Sequence, residues 1–281
     1  MNKKIIGLIL LIVGILVLSF GAYKIIKSNN TKNDDGTINN DILENNKSDN
    51  QEKDDNINSN DTQNNDVSSK FELKQLGNLQ YYLYIPNNPT SSMPLIIYLH
   101  GATFKNLDIS ELLKNDGFPK YVNDGYYGDL RSFVVIPKID SNTKNWVDIS
   151  DSLEGLIKSI NSNYSIALDK VSLTGHSIGG TGTYQLQIKL PNTFACIAPM
   201  SGFVRNSDEN IDALSKTKIW AFVGSNDTVI SPNSTKQVIK LLKDKDIDAK
   251  ITEYQDADHF TVPVLGYKDK DFINWLVNCK K

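Results

Sequence analysis

Gly175-His176-Ser177-Ile178-Gly179 sets a serine between two glycines, each two residues away. An alkyl hydroxyl becomes a useful nucleophile only when a neighbouring base removes its proton, and it must stand clear of the backbone to reach a carbonyl. The run Val171-Ser172-Leu173-Thr174 before the serine predicts a buried strand, and Gly180–Leu190 after it predicts a helix. A serine on the sharp turn between them is lifted out at the strand end, where flanking side chains would collide; glycine lacks the Cβ that would clash. The five-residue pattern recurs by chance, so the flanking elements and the partners downstream carry the reading.

The base must be a histidine, and the chain has three: His100, His176 and His259. His176 adjoins Ser177, and adjacent side chains in a sharp turn point apart. His100 ends an aliphatic strand ahead of the serine, which suits a structural role. By elimination the base is His259, in a loop near the C-terminus, in the chain order Ser, Asp, His. A carboxylate should orient its imidazole. Asp227, in Gly224-Ser225-Asn226-Asp227 after an apolar run, is favoured; Asp256 and Asp258 are rivals that share the loop of His259 and would have to fold back. Two backbone N–H groups should face the negative oxygen of a tetrahedral intermediate. Ile178 supplies one, and the loop after Leu99-His100-Gly101 the other, with Ala102 the first choice and Thr103 the second.

The elements that must position these groups follow from periodicity. Leu79–Ile85 alternates and is aromatic, which suits a half-exposed strand near an edge. Pro94–Leu99, Phe133–Ile136, Ile197–Met200 and Ile219–Val223 are continuous apolar runs, the pattern of buried parallel strands, and Ala249–Tyr254 reads as a further strand. Ser110–Lys114, Ile149–Ile160, Pro232–Lys243 and Asp269–Val277 read as helices between and after them. Strands alternating with helices imply an α/β fold: a mostly parallel sheet with helices on both faces.

The two ends of the chain differ in kind. Met1-Asn2-Lys3-Lys4 leads into an apolar run from Ile5 to Ala22, about long enough to cross the ~30 Å hydrocarbon layer as a helix. Residues 1–27 therefore read as a signal anchor or a cleaved signal peptide; the length favours the transmembrane anchor, and Ser19-Phe20-Gly21 is a poor cleavage site. Residues 28–69 are rich in Asn, Asp and Ser, lack aromatics and proline, and carry three Lys against eight Asp and two Glu. So little apolar surface cannot offset ordering entropy, and the stretch reads as a disordered tether. Residues 70–281 are long enough for one domain with one core. The expected location is the cell membrane with this domain outside, or secretion if the signal is cleaved. A formal net charge of −3 gives no reason to expect nucleic acid as a partner. Cys196, in an apolar run, reads as a buried free thiol, and Cys279 lies in the C-terminal tail; two cysteines make no disulfide framework.

With these residues in view the chain resembles the α/β-hydrolase superfamily. Within it, the resemblance is to the predicted-peptidase and esterase group related to polyhydroxybutyrate depolymerases and feruloyl esterases. Leu99–Ala102, Leu173–Gly180 with Gly182-Thr183-Tyr184, Pro191–Gly202, Ile219–Asp227 and Tyr254–His259 carry it, and it spans residues 70–281. It implies ester hydrolysis through an acyl-enzyme, with no cofactor and no metal. Typical members carry Leu and Met where His176 and Ile178 stand, and Trp at Tyr184; these departures bear on substrate preference. Trp146, Tyr126, Tyr127, Phe203 and Phe260 are candidates to line an acyl or sugar pocket or to fill the core.

The expectation is a serine esterase acting on small-molecule or glycan esters. An acyltransferase that hands the same acyl group to a surface polymer is one alternative. A binding module on a hydrolase scaffold that has lost catalysis is the other.

Overall fold

In the computed structural model, which describes residues 70–281, the continuous aliphatic runs form the middle of one sheet. The strands are β1 Lys70–Leu76, β2 Leu79–Ile85, β3 Leu95–Leu99, β4 Phe133–Pro137, β5 Val171–His176, β6 Cys196–Met200, β7 Lys218–Gly224 and β8 Ala249–Tyr254. Their order across the sheet is β1-β2-β4-β3-β5-β6-β7-β8. β1 and β2 pair antiparallel, as do β2 and β4, and every other neighbour is parallel. Residues 1–69, with the anchor and tether expected there, lie outside the described residues. Among the described residues no helix is long and apolar enough to cross a membrane.

Alternation along each strand sorts two layers of helices. Leu95, Ile97 and Leu99 of β3 face a cluster containing Leu153, Leu156, Tyr184, Leu186, Ile211, Val238 and Leu242. These come from helices α3 Ser150–Tyr164, α4 Ile178–Lys189, α5 Asp208–Leu214 and α6 Asn233–Lys243. Ile96 and Tyr98 face the opposite cluster, with Leu112, Phe118, Val262, Tyr267, Phe272 and Leu276. These belong to α1 Glu111–Asn115, α2 Gly117–Asn123, α7 Thr261–Lys268 and α8 Lys270–Asn278. Each fully buried Leu or Ile contributes about 1.5–3 kcal/mol.

Four elements differ from the sequence expectation by addition. β1 alternates Phe71 and Leu73 with Lys70, Glu72 and Lys74, so its apolar signal is diluted by charges of the kind that protect a sheet edge. The helices α2 and α7 each contain Gly and Pro, and α5 is only seven residues long, so none shows a sustained helical period. Cys196 and Cys279 are both buried and free.

The second face also buries a polar chain. Tyr98 Oη donates to Asp116 Oδ1 at 2.7 Å, and the Gly117 amide donates to the same oxygen at 3.0 Å. Tyr267 packs edge-on against Tyr98, and its hydroxyl lies 2.9 Å from Thr174 Oγ1 on β5. Asp116 Oδ2 is buried with no hydrogen-bond partner. Burial drives this carboxyl up to about 7, against the lowering by Tyr98 and the Gly117 amide. Folding therefore takes up a proton between pH ~4, where an unfolded Asp titrates, and pH ~7. The contribution is full below that window, falls as pH rises through it and stays lost above. Asp116→Asn keeps the Oδ1 acceptor without the charge. It is expected to match the wild type near pH ~4 and to exceed it by about 1–3 kcal/mol above pH ~7. Urea unfolding of both proteins across that range checks the difference.

Candidate active site

Ser177 sits between the end of β5 and the start of α4 at φ 60°, ψ −120°, in the left-hand half of backbone space that costs a non-glycine residue strain. Its amide donates to the Met200 carbonyl of β6 at 3.0 Å, and its carbonyl accepts from the Thr181 amide at 2.9 Å. The turn is held by close approach of backbone to backbone. A Cβ at Gly179 would lie 1.9 Å from the Leu99 carbonyl oxygen, and one at Gly175 would lie 2.6 Å from that oxygen and 2.7 Å from Gly179. The strain at Ser177 is thus offset by packing that only glycine permits.

His259 reaches Ser177 from the loop after β8. Its Nε2 lies 2.9 Å from Ser177 Oγ, and its Nδ1 lies 2.8 Å from Asp227 Oδ2. A carboxylate at Nδ1 fixes the proton there and leaves Nε2 as the acceptor facing the serine. Asp227, after β7, takes the amides of Val229 at 3.0 Å and Ile230 at 2.8 Å on its other oxygen. Burial would raise the Asp227 carboxyl, but the hydrogen bonds from His259 and the Ile230 amide hold it below the usual carboxylate range. Loop-to-loop bonds set the spacing: Asn226 donates to the Ala257 carbonyl at 3.1 Å, and the Asp256 amide donates to Ser225 Oγ at 2.8 Å. Asp258 instead caps the start of α7, accepting from the amides of Phe260 and Thr261. The structure thus brings Ser177, His259 and Asp227 together, while Asp256 bonds the Asp227 loop through its backbone amide and the Asp258 carboxylate turns to the start of α7.

The loop after β3 runs alongside the serine: a Cβ at Gly101 would sit 3.7 Å from Ser177 Cβ. A short 3₁₀ turn, Ala102–Asn106, begins there, and its first bond is Phe104 N–H to the Gly101 carbonyl at 3.3 Å. The Ala102 and Thr103 amides precede that bond, and the Ile178 amide opens α4, so none has an acceptor within its own helix. His100 pins this loop. Its Nδ1–H donates to the Gly101 carbonyl at 2.8 Å, and its Nε2 accepts from the Ile139 amide at 3.2 Å. Burial lowers the ring to about 4, so it stays neutral in this tautomer. Trp146 Nε1 donates to the His100 carbonyl at 3.3 Å, with the rings edge-on.

The aromatic candidates separate. Trp146 is fully buried and belongs to the core beneath the loop. Tyr126 and Tyr127 pack with Tyr121 and Phe118 on the α2 side and bond carbonyls at the end of α7. Phe203 and Phe260 are exposed. Phe260 stands edge-on to the His259 ring at 5.3 Å. The Phe203 amide is held by Thr181 Oγ1, one turn into α4. A groove of about 450 Å³ opens there, lined by Phe203, Val229, Ile230, Ser231, Ser234 and Gln237. It borders the loop that holds Asp227. Sequence reasoning had no signal for Val229 and Ile230, whose backbone amides do the work.

Residues 79–266 match the model of the dienelactone hydrolase family. The chain belongs to that family. Over 189 residues it is 25% identical to a bifunctional acetylxylan esterase/xylanase of Neocallimastix patriciarum, an alignment covering 62% of this chain and 25% of that one. Over 140 residues it is 26% identical to a poly(3-hydroxyalkanoate) depolymerase of Paucimonas lemoignei, covering 45% and 32% of the two chains. The chain therefore spans a third or less of these relatives' length. Its fold is similar to that of a thermostable esterase, with a TM-score of 0.66 at 21% identity over 76% of this chain and 63% of that one. The feruloyl esterase module of Clostridium thermocellum, seen with sinapinate, gives a TM-score of 0.58 at 13% identity, covering 73% and 87%. The family agrees with the α/β-hydrolase resemblance of the motifs.

Substitution of the turn glycine tests whether close approach holds this dienelactone-hydrolase-family site. Gly179→Ala is expected to cost more than about 4 kcal/mol, because main-chain atoms on both sides must move. Gly155→Ala, inside α3 and with its new Cβ no nearer than 4.0 Å to any atom, is expected to gain about 0.5–1 kcal/mol. Urea midpoints of the two variants measure the contrast.

Proposed function

We propose that the chain is a serine esterase that hydrolyses carboxylic esters through an acyl-enzyme. The observation that carries this is the unbroken hydrogen-bonded line from Ser177 Oγ through His259 to Asp227, at the carboxyl ends of three parallel strands of one sheet. In this reading Ser177 Oγ attacks the ester carbonyl while His259 Nε2 takes its proton, and Asp227 stabilises the imidazolium that results. The carbonyl oxygen becomes an oxyanion, for which the amides of Ile178 and Ala102 are the proposed donors. His259 then protonates the departing alcohol, the acyl group remains on Ser177, and water activated by the same ring releases the acid.

The acetylxylan esterase and depolymerase names of the relatives support esters borne by a polymer as substrates. The groove by Phe203 and Val229 suits an apolar or aromatic part of such an ester. The apolar N-terminal segment supports a membrane-held or exported enzyme whose polymer is extracellular.

Ester hydrolysis is measured on the full chain with nitrophenyl acetate, butyrate and decanoate. Ser177→Ala and His259→Ala are expected to lower kcat by at least ~10³-fold, and Asp227→Ala by at least ~10²-fold, while Asp256→Ala changes it less than about threefold. A folded wild type that hydrolyses none of these and does not react with a fluorophosphonate overturns the esterase reading. Phe203→Ala is expected to raise KM for an aromatic or longer acyl ester about three- to tenfold with kcat within about twofold, the mark of lost uniform binding.

A further inference from the structure

We infer that His176 is a positioning residue for the base, its Nε2–H holding the main chain of His259 against the strand that carries Ser177. This role rests on the esterase reading above. His176 ends β5 directly before Ser177, and its Nε2 lies 2.8 Å from the His259 carbonyl oxygen. A carbonyl oxygen only accepts, so the His176 proton is on Nε2 and its Nδ1 is bare. Burial, followed by the neighbouring His259 ring, lowers His176 to about 3, so the side chain stays neutral when His259 cycles through its charged form. The two rings lie 4.8 Å apart at 45°.

The geometry gives this bond a function that packing alone does not. The loop bearing His259 is tied to the loop of Asp227 by Asn226 to Ala257, by Asp256 to Ser225 and by the Nδ1 contact. All three hold the base to its carboxylate. None fixes its distance from Ser177, which comes from another strand. The His176 bond supplies that second fix, because the residue that makes it is covalently next to the nucleophile. Without it, the β8 loop and its imidazole can shift away from Ser177 Oγ while still paired to Asp227. An ångström-scale misplacement of this kind costs up to ~10²-fold in rate.

The test uses the full chain and two substitutions. His176→Leu keeps apolar bulk and deletes the donor. His176→Gln places an amide N–H at nearly the reach of Nε2 and restores it. Expected for His176→Leu are a kcat for nitrophenyl butyrate lowered about 10- to 100-fold, KM within about threefold, and fluorophosphonate labelling of Ser177 slowed in parallel. His176→Gln is expected to recover kcat to within about threefold of the wild type. In the wild type labelled with ¹⁵N-histidine, His176 should show a protonated Nε2 and a bare Nδ1 at neutral pH. A His176→Leu enzyme within about twofold of wild-type kcat, a Gln variant as impaired as the Leu variant, or a His176 proton on Nδ1 overturns the role. An active wild type with such results removes the positioning role alone. A wild type that neither turns over nor labels removes the esterase reading and this role with it.

Discussion

Everything at this site depends on one forced approach: the turn at Ser177 lies against the main chain at the end of β3. Gly175 and Gly179 sit so near Leu99 that no side chain fits at either position. That contact holds Ser177 at a positive φ and aims its hydroxyl away from the sheet. It also brings the Gly101 loop beside the serine, so the start of α4 and the turn at Ala102 converge on one point. Strain of this kind costs of order 1–3 kcal/mol and persists only where the surroundings overdetermine it. Here the neighbouring strands β3 and β6 supply that restraint through packing and the Ser177–Met200 hydrogen bond.

Electrostatics divides the three histidines. His100 and His176 are buried, each donating to a carbonyl, and burial keeps both neutral. His259 alone has a carboxylate on one nitrogen and a serine hydroxyl on the other. The other two rings act as fixed hydrogen-bonding braces, one for the loop of Gly101 and one for the loop of His259.

The two faces of the sheet are built differently, and the site draws on both. The face toward α3–α6 is mainly aliphatic and aromatic, with Thr183, Gln187 and Thr235 of its helices buried in hydrogen bonds to nearby carbonyls. The other face buries Ser172, Thr174, Tyr98, Tyr267 and Asp116 in hydrogen-bonded contacts that run close beneath β5. Low dielectric strengthens such contacts and makes an unpaired group costly, as at Asp116 Oδ2. The acid in this layer titrates with folding, so the stability of the scaffold carries a pH dependence separate from that of the histidines.

Much of this was legible in the residues. Continuous apolar runs mark strands buried on both faces, and this sufficed for β3, β4, β6 and β7, whereas β5 buries Ser172 and Thr174 by spending their hydroxyls on hydrogen bonds. The glycines around Ser177 announced a sharp turn, since their spacing answers to local sterics alone. Edge strand β1 and the short helices α2, α5 and α7 escaped notice because charges, glycine, proline or brevity blur their periods. The sequence favoured Asp227 over Asp256 and Asp258, which share the loop of His259, and tertiary structure decided the contact: the pairing of β7 with β8 brings Asp227 to Nδ1 of His259. The bracing roles of His100 and His176, the amides of Val229 and Ile230, and the separation of Phe203 from buried Trp146 belong to the same class. They depend on which strand ends lie side by side, and a linear pattern holds no information about that distance. The sequence by itself determined the layers and the turn, because local sterics and burial act residue by residue; the fold decided the partners, because hydrogen bonds between loops need three dimensions to form.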